Sequence, residues 1–151
     1  MKEPKITWYA KLKKEEEYIQ TDNIYAGSYA QDIKYLSVLM QIWNNRWGTE
    51  NIQTLSNFNI NIYFENEEDY SLLKYCTVIL NDSDILTINK TDKIGILSLP
   101  DNIELSGQYN DGKQENNPNN YINLEFRFSA PKNTKLKEND LKSLYFEIMP
   151  L

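Results

Sequence analysis

A protein surface does chemistry with a proton carrier, a nucleophile, a metal cage or a set of exposed rings, and this 151-residue chain is poor in the first three. It has no histidine. That removes the commonest general base, the commonest metal ligand and every Ser–His or Cys–His arrangement. Carboxylates can act in pairs about 5–10 Å apart, as in glycosidases, and Glu65, Glu67, Glu68, Asp69 and Glu125 are the candidates. Acidic side chains in turns and on outer strand faces are also the ordinary surface of a chain with a net charge of −6. The expectation is a protein that is not an enzyme. Hard oxygen ligands crowd two turns, Asn81, Asp82 and Asp84, and Asn110, Asp111 and Glu115. Neither has the spacing or glycine of a helix–loop–helix calcium site, and Asn and Asp favour turns by bonding their own backbone. No metal or cofactor is therefore expected. Cys76, the single cysteine, alternates with Val78 and Leu80, the pattern of a buried core thiol.

Rings are what remains. The chain holds 11 Tyr, 5 Phe and 3 Trp, and Trp8, Tyr9, Trp43, Trp47, Tyr63 and Tyr121 offer two uses. Exposed rings can stack on sugars, or they can be covered by a neighbouring subunit. Alternation along the strands sets Trp43, Tyr63 and Tyr121 outward. A sugar site should be a groove with polar side chains beside the rings, whereas an assembly face is broad and flat.

The elements that must position these rings read as strands. The most regular stretch is DIKYLSVLMQIWNN, where Leu36, Val38, Met40 and Ile42 recur at a spacing of two between Gly27 on one side and Asn44, Asn45 and Gly48 on the other. It reads as the central strand. Ile6–Leu12 alternates in the same way, and Lys13–Gln20 reads as an exposed turn or charged edge because Glu15, Glu16 and Glu17 repel one another. Asp22–Asp32 reads as a loop. Phe58, Ile60, Ile62 and Phe64 give the cleanest strand, and Tyr70–Lys74 suits one helical turn. Further strands are expected at Cys76–Leu80, Ile85–Ile88, Ile94–Leu99 and Ile103–Ser106. The segment Gln108–Asn120 is loop, with a positive-φ turn at Asn110–Asp111–Gly112. Ile122, Leu124, Phe126 and Phe128 mark a long strand, Ala130–Asn139 a polar crossing, and Leu144, Phe146 and Ile148 a last strand stopped by Pro150. About eight or nine short strands separated by turn signals predict one all-β domain over residues 1–151, a single antiparallel β-sandwich of immunoglobulin-like or jelly-roll-like form.

Charge and hydropathy narrow the partners. The lysine clusters are short and offset by glutamates, so nucleic acid is not expected, since binding it needs a concentrated basic face. No apolar run approaches the roughly 20 residues of a membrane helix, and no signal segment opens the chain. A soluble protein made in a cytoplasm is expected.

The stretch from Ile24 to Leu80 resembles small virion proteins encoded in the tail or baseplate regions of phages and phage-tail-like particles of clostridia-like Gram-positive bacteria. The pieces that carry the likeness are Ile42–Trp43–Asn44–Asn45–Arg46, Tyr63–Phe64 and Asp69 with Leu72–Leu73–Lys74, and Ser106–Gly107 and Asn110–Asp111–Gly112, beyond that stretch, fit it too. The resemblance implies a structural adaptor, assembled in the host cytoplasm in multiple copies and docked to other virion or tail subunits. A carbohydrate-binding or receptor-recognition module and a head or neck decoration protein are the alternatives. Interface energy concentrates in buried aromatic and Arg anchors, and Trp43, Arg46, Trp47 and Tyr63 are the expected ones.

Overall fold

The structure, a computed structural model, describes residues 1–21, 24–25, 35–65, 67–131 and 144–151. Thirteen strands form in them. A six-stranded antiparallel sheet holds, in spatial order, β2 (Ile19–Thr21), β1 (Ile6–Leu12), β4 (Tyr35–Asn44), β12 (Tyr121–Ser129), β7 (Cys76–Leu80) and β8 (Asp84–Leu86). A five-stranded sheet holds β3 (Ile24–Tyr25), β13 (Leu144–Pro150), β6 (Phe58–Phe64), β10 (Ile94–Leu97) and β9 (Ile88–Thr91). A two-stranded sheet, β5 (Leu55–Ser56) with β11 (Glu104–Leu105), is the third. From β4 onward the path crosses repeatedly between the two large sheets, with β7–β8 and β12 in one and β6, β9–β10 and β13 in the other. That alternation lies nearer the jelly-roll form than the immunoglobulin one.

Period-two patterning explains the core. Leu36, Val38, Met40 and Ile42 all face inward and are buried. Register brings Trp8 and Ala10 of β1 beside Ile42 and Met40, and Ile122, Leu124, Phe126 and Phe128 of β12 beside Ile42, Met40, Val38 and Leu36. β4 is thus the middle of its sheet. The facing layer comes from Phe58, Ile60, Ile62 and Phe64 of β6 with Leu144 and Phe146 of β13. Phe126 meets Phe146 edge-on across the sandwich, ring centroids 5.3 Å apart, a geometry that the ring quadrupoles favour. Cys76 lies in this packing, and burial pushes its thiol up to about 12. It behaves as a small apolar side chain.

Several expectations about the elements are corrected. Residues 24–25 are a short strand at a sheet margin, where a loop was expected, while Lys13–Gln20 is an exposed turn that runs into the edge strand Ile19–Thr21. Ile85–Ile88 is two strands in different sheets, because the chain leaves one layer and enters the other at Thr87. The helical turn expected at Tyr70–Lys74 is a nine-residue 3₁₀ helix, Glu67–Tyr75, which drops Leu73 into the core, and a short second one, Gln114–Asn116, lies within the expected loop. The last strand does end at Pro150, but that residue still pairs with Phe58, and Leu151 N–H donates to the Asn57 carbonyl at 2.8 Å. The expectations at Gly27, Tyr29 and Lys132–Asn139 lie outside the described residues. No helix among the described residues is long and apolar enough to cross a membrane.

Candidate functional site

The outward residues of β1, β2 and β4 build a site at one end of the six-stranded sheet. Register sets Tyr9 opposite both Gln20 and Gln41, and Trp43 opposite Tyr121. Trp43 does point to the outer face, as alternation requires, yet it is completely buried. Its ring stacks on Tyr121 with centroids 4.7 Å apart, and its Nε1 donates to Gln41 Oε1 at 3.2 Å. The expected surface anchor is therefore a second, smaller core on the outside of the sheet. Trp8, also considered as a platform, faces the main core.

Arg46 closes this outer core. Its guanidinium lies over three rings, 4.3 Å from the Tyr9 centroid, 4.6 Å from Trp43 and 4.2 Å from Trp47. Such contacts contribute roughly 0.5–2 kcal/mol each as water is excluded. Arg46 Nε also donates to the Gly112 carbonyl at 3.1 Å. Trp47 then stands out of the surface, 56% exposed. It is held there in the left-handed region at φ 60°, a conformation rare for a bulky side chain. Gly112 is required beside it. Its φ is 75°, and a Cβ there would overlap the indole ring.

Asparagine amides fix the loops that carry these groups. Asn44 Nδ2 donates to the carbonyls of Gln53 and Leu105, and its Oδ1 accepts from Lys5 N–H. Asn45 Nδ2 donates to Glu50 and Gly107 carbonyls, each at 2.8 Å. Asn110 Oδ1 accepts from the N–H groups of Trp47 and Gly112, while its Nδ2 donates to the Asn45 carbonyl. Asn120 Nδ2 donates to Ser106 and Gln108 carbonyls. Segments distant in sequence are thereby stapled to the end of β4. Asn45 also takes φ 59°, which Asn tolerates better than most residues. Gly48 leaves room for the Asn45 side chain.

The result is an open cleft of about 480 Å³ lined by Tyr9, Glu17, Tyr18, Gln20, Gln41, Arg46, Trp47 and Gln114. Burial first, then the charge of Asp82, holds the Tyr18 hydroxyl above the usual tyrosine range. Of the four expected anchors the structure brings Trp43, Arg46 and Trp47 together. Tyr63 is elsewhere, on the outer side of β6 in the other sheet, stacked on Tyr145 at 5.7 Å. Its hydroxyl is raised by burial and then by the charge of Glu147. The amides Gln20, Gln41 and Gln114 were not foreseen. Alternation could have signalled the first two, since both share the outward row with Tyr9.

The alternative sites resolve into ordinary turns. Asn81 and Asp82 take left-handed φ values of 49° and 64° in the β7–β8 hairpin, and Asn81 Oδ1 accepts from Asn123 N–H. The Asp111 carboxylate is filled by Lys113 N–H and by the amides of Asn116 and Asn117. Those bonds, the backbone one foremost, hold its pKa below the usual carboxylate range. No group of three or more potential metal ligands gathers among the described residues. Glu125, offered as a catalytic carboxylate, instead accepts from Arg127, Lys13 and Ser37 on the outer sheet face.

The fold and site define an antiparallel β-sandwich that carries a preformed arginine–aromatic cleft. Comparison with protein-family models, with curated proteins and with solved structures gives no match for this chain.

Proposed function

We propose that this protein is a non-enzymatic structural component of a phage virion or phage-tail-like particle, a tail, baseplate or fibre-attachment adaptor that works by presenting preformed surface to neighbouring subunits. The observation that supports this reading is Trp47. A large ring more than half exposed is immobilised by a left-handed backbone, a stacked arginine and an asparagine-stapled loop. Ordering it before contact removes much of the entropy that binding would otherwise cost, and Trp, Tyr and Arg dominate interface hot spots. Replacing Trp47 with Ala should give a domain with an unchanged far-ultraviolet circular-dichroism spectrum that fails to enter particles. Normal incorporation of that variant removes Trp47 as the docking group, and normal incorporation of both it and Tyr63→Ala sinks the reading.

A second reading, carbohydrate recognition, is favoured by the form of the cleft. Polar amides flank the rings, which is the arrangement of a groove and not of a flat assembly face. Tyr63 and Tyr145 lie on the outer face of the opposite sheet, so one chain can hold a ligand on one side and a neighbour on the other.

A further inference from the structure

Resting on the carbohydrate reading of the cleft, the geometry points to a more specific occupant: we propose that it binds a saccharide bearing a carboxylate, with the acid on Arg46 and the sugar ring against Trp47. Three observations meet here. First, Arg46 is a half-buried cation whose Nε is used by the Gly112 carbonyl. Its two terminal nitrogens have no acceptor, and no carboxylate forms an ion pair with it, among the described residues. Three rings fix its plane. A guanidinium held in that way presents two parallel N–H donors, the fork that a planar carboxylate accepts. Second, Gln41 is 1% exposed yet lines the cleft. Its Oε1 is fixed by Trp43 Nε1, so its amide nitrogen remains a donor with no acceptor among the described residues. That nitrogen is not shut off from solvent, so it can donate to a ligand or water in the cleft. Third, the remaining wall is made of Gln20, Gln114 and the hydroxyl-bearing Tyr18. These groups both donate and accept, as sugar hydroxyls require.

Glu17 is the one carboxylate lining the cleft. It is exposed, so solvent and salt screen its repulsion of an acidic ligand. The prediction that follows has a definite sign: removing its charge should tighten an acidic sugar and leave a neutral one unaffected.

The experiment is calorimetric titration of the full chain with glucuronic-acid and N-acetylneuraminic-acid oligosaccharides, each beside its carboxyl-reduced counterpart. At least one acidic probe should bind about 10-fold or more tighter than its reduced form. Arg46→Lys should cut that preference to about 3-fold or less, since a point charge lacks the fork. Trp47→Ala should remove binding of both forms, and Glu17→Gln should strengthen the acidic probe by about 2-fold. Circular dichroism establishes that each variant is folded. Equal binding of acidic and reduced probes would overturn the carboxylate assignment and leave the carbohydrate reading standing. No binding by any probe overturns both. Acidic binding that survives Arg46→Lys and Trp47→Ala undiminished places the sugar elsewhere and also overturns the proposal.

Discussion

At the scale of the residue, two tryptophans four positions apart do opposite work. Trp43 is wholly buried against Tyr121 and Arg46, so Trp43→Ala should cost about 3–5 kcal/mol, as large-to-small core changes do. Trp47 is mostly open and strained at φ 60°. Trp47→Gly relieves a left-handed penalty of about 1 kcal/mol while giving up a cation–π contact of similar size. Its urea midpoint should stay close to that of the parent, in contrast to Trp43→Ala, and equal losses in the two variants would contradict the division of labour. A third residue makes the stability depend on pH. Burial raises the Glu125 pKa, but the hydrogen bond and charge of Arg127, with the charge of Lys13, outweigh it and leave the pKa below the usual carboxylate value. A carboxyl whose folded pKa is depressed stabilises the fold above its unfolded pKa, and that contribution fades as pH falls through the folded one. Stability should therefore drop on acidification through and below the ordinary carboxylate range. Glu125→Gln should drop less steeply over that same interval, as read from urea midpoints across a pH series.

At the scale of the element, legibility followed strand length. β4, β6 and β12 each run for seven or more residues, enough for period-two alternation to show, and their inward residues are those the pattern assigns. Strands of two residues, such as β3 and β5, contain no full alternation. They exist because a neighbouring strand offers unpaired backbone groups, which local sequence does not record. The same limit hid the role of the asparagines. Asn44, Asn45, Asn110 and Asn120 look like turn formers along the chain, and in space they are cross-links between segments far apart. Arg46 and Trp47 stood out by type; the amides beside them did not, because the cleft exists only once β1, β2 and β4 are side by side. Removing one staple tests this account. Asn44→Ala strands the Lys5 N–H and the Gln53 and Leu105 carbonyls, and a buried polar group left unpaired costs about 1–3 kcal/mol. Hydrogen exchange at Gly107 and Tyr109 amides should accelerate in that variant while core amides of β12 slow or speed only with global stability. Uniform acceleration throughout would show that Asn44 acts on the whole fold and not on the loop.

At the scale of the whole molecule, the two surfaces of interest are separated by the sandwich itself. Trp47 extends from the end of the six-stranded sheet, and Tyr63 lies on the outer face of the five-stranded one. Packed sheets stand about 10 Å apart, and between these two rings runs the contiguous apolar core. Side chains so placed share no partner, so their effects on stability should add within about 0.5 kcal/mol. The double variant Trp47→Ala/Tyr63→Ala should have a destabilisation equal to the sum of the single ones. Binding gives the sharper contrast. If both rings engage one neighbour, either change alone weakens the same contact and the pair behaves non-additively in assembly. If the cleft serves a saccharide and the Tyr63 face serves a subunit, Tyr63→Ala should impair incorporation into particles and leave saccharide titration untouched, whereas Trp47→Ala should do the reverse. Loss of incorporation in both single variants returns Trp47 to the role of a subunit anchor, and the opposite placement of the two rings on the sandwich then requires two neighbours and not one.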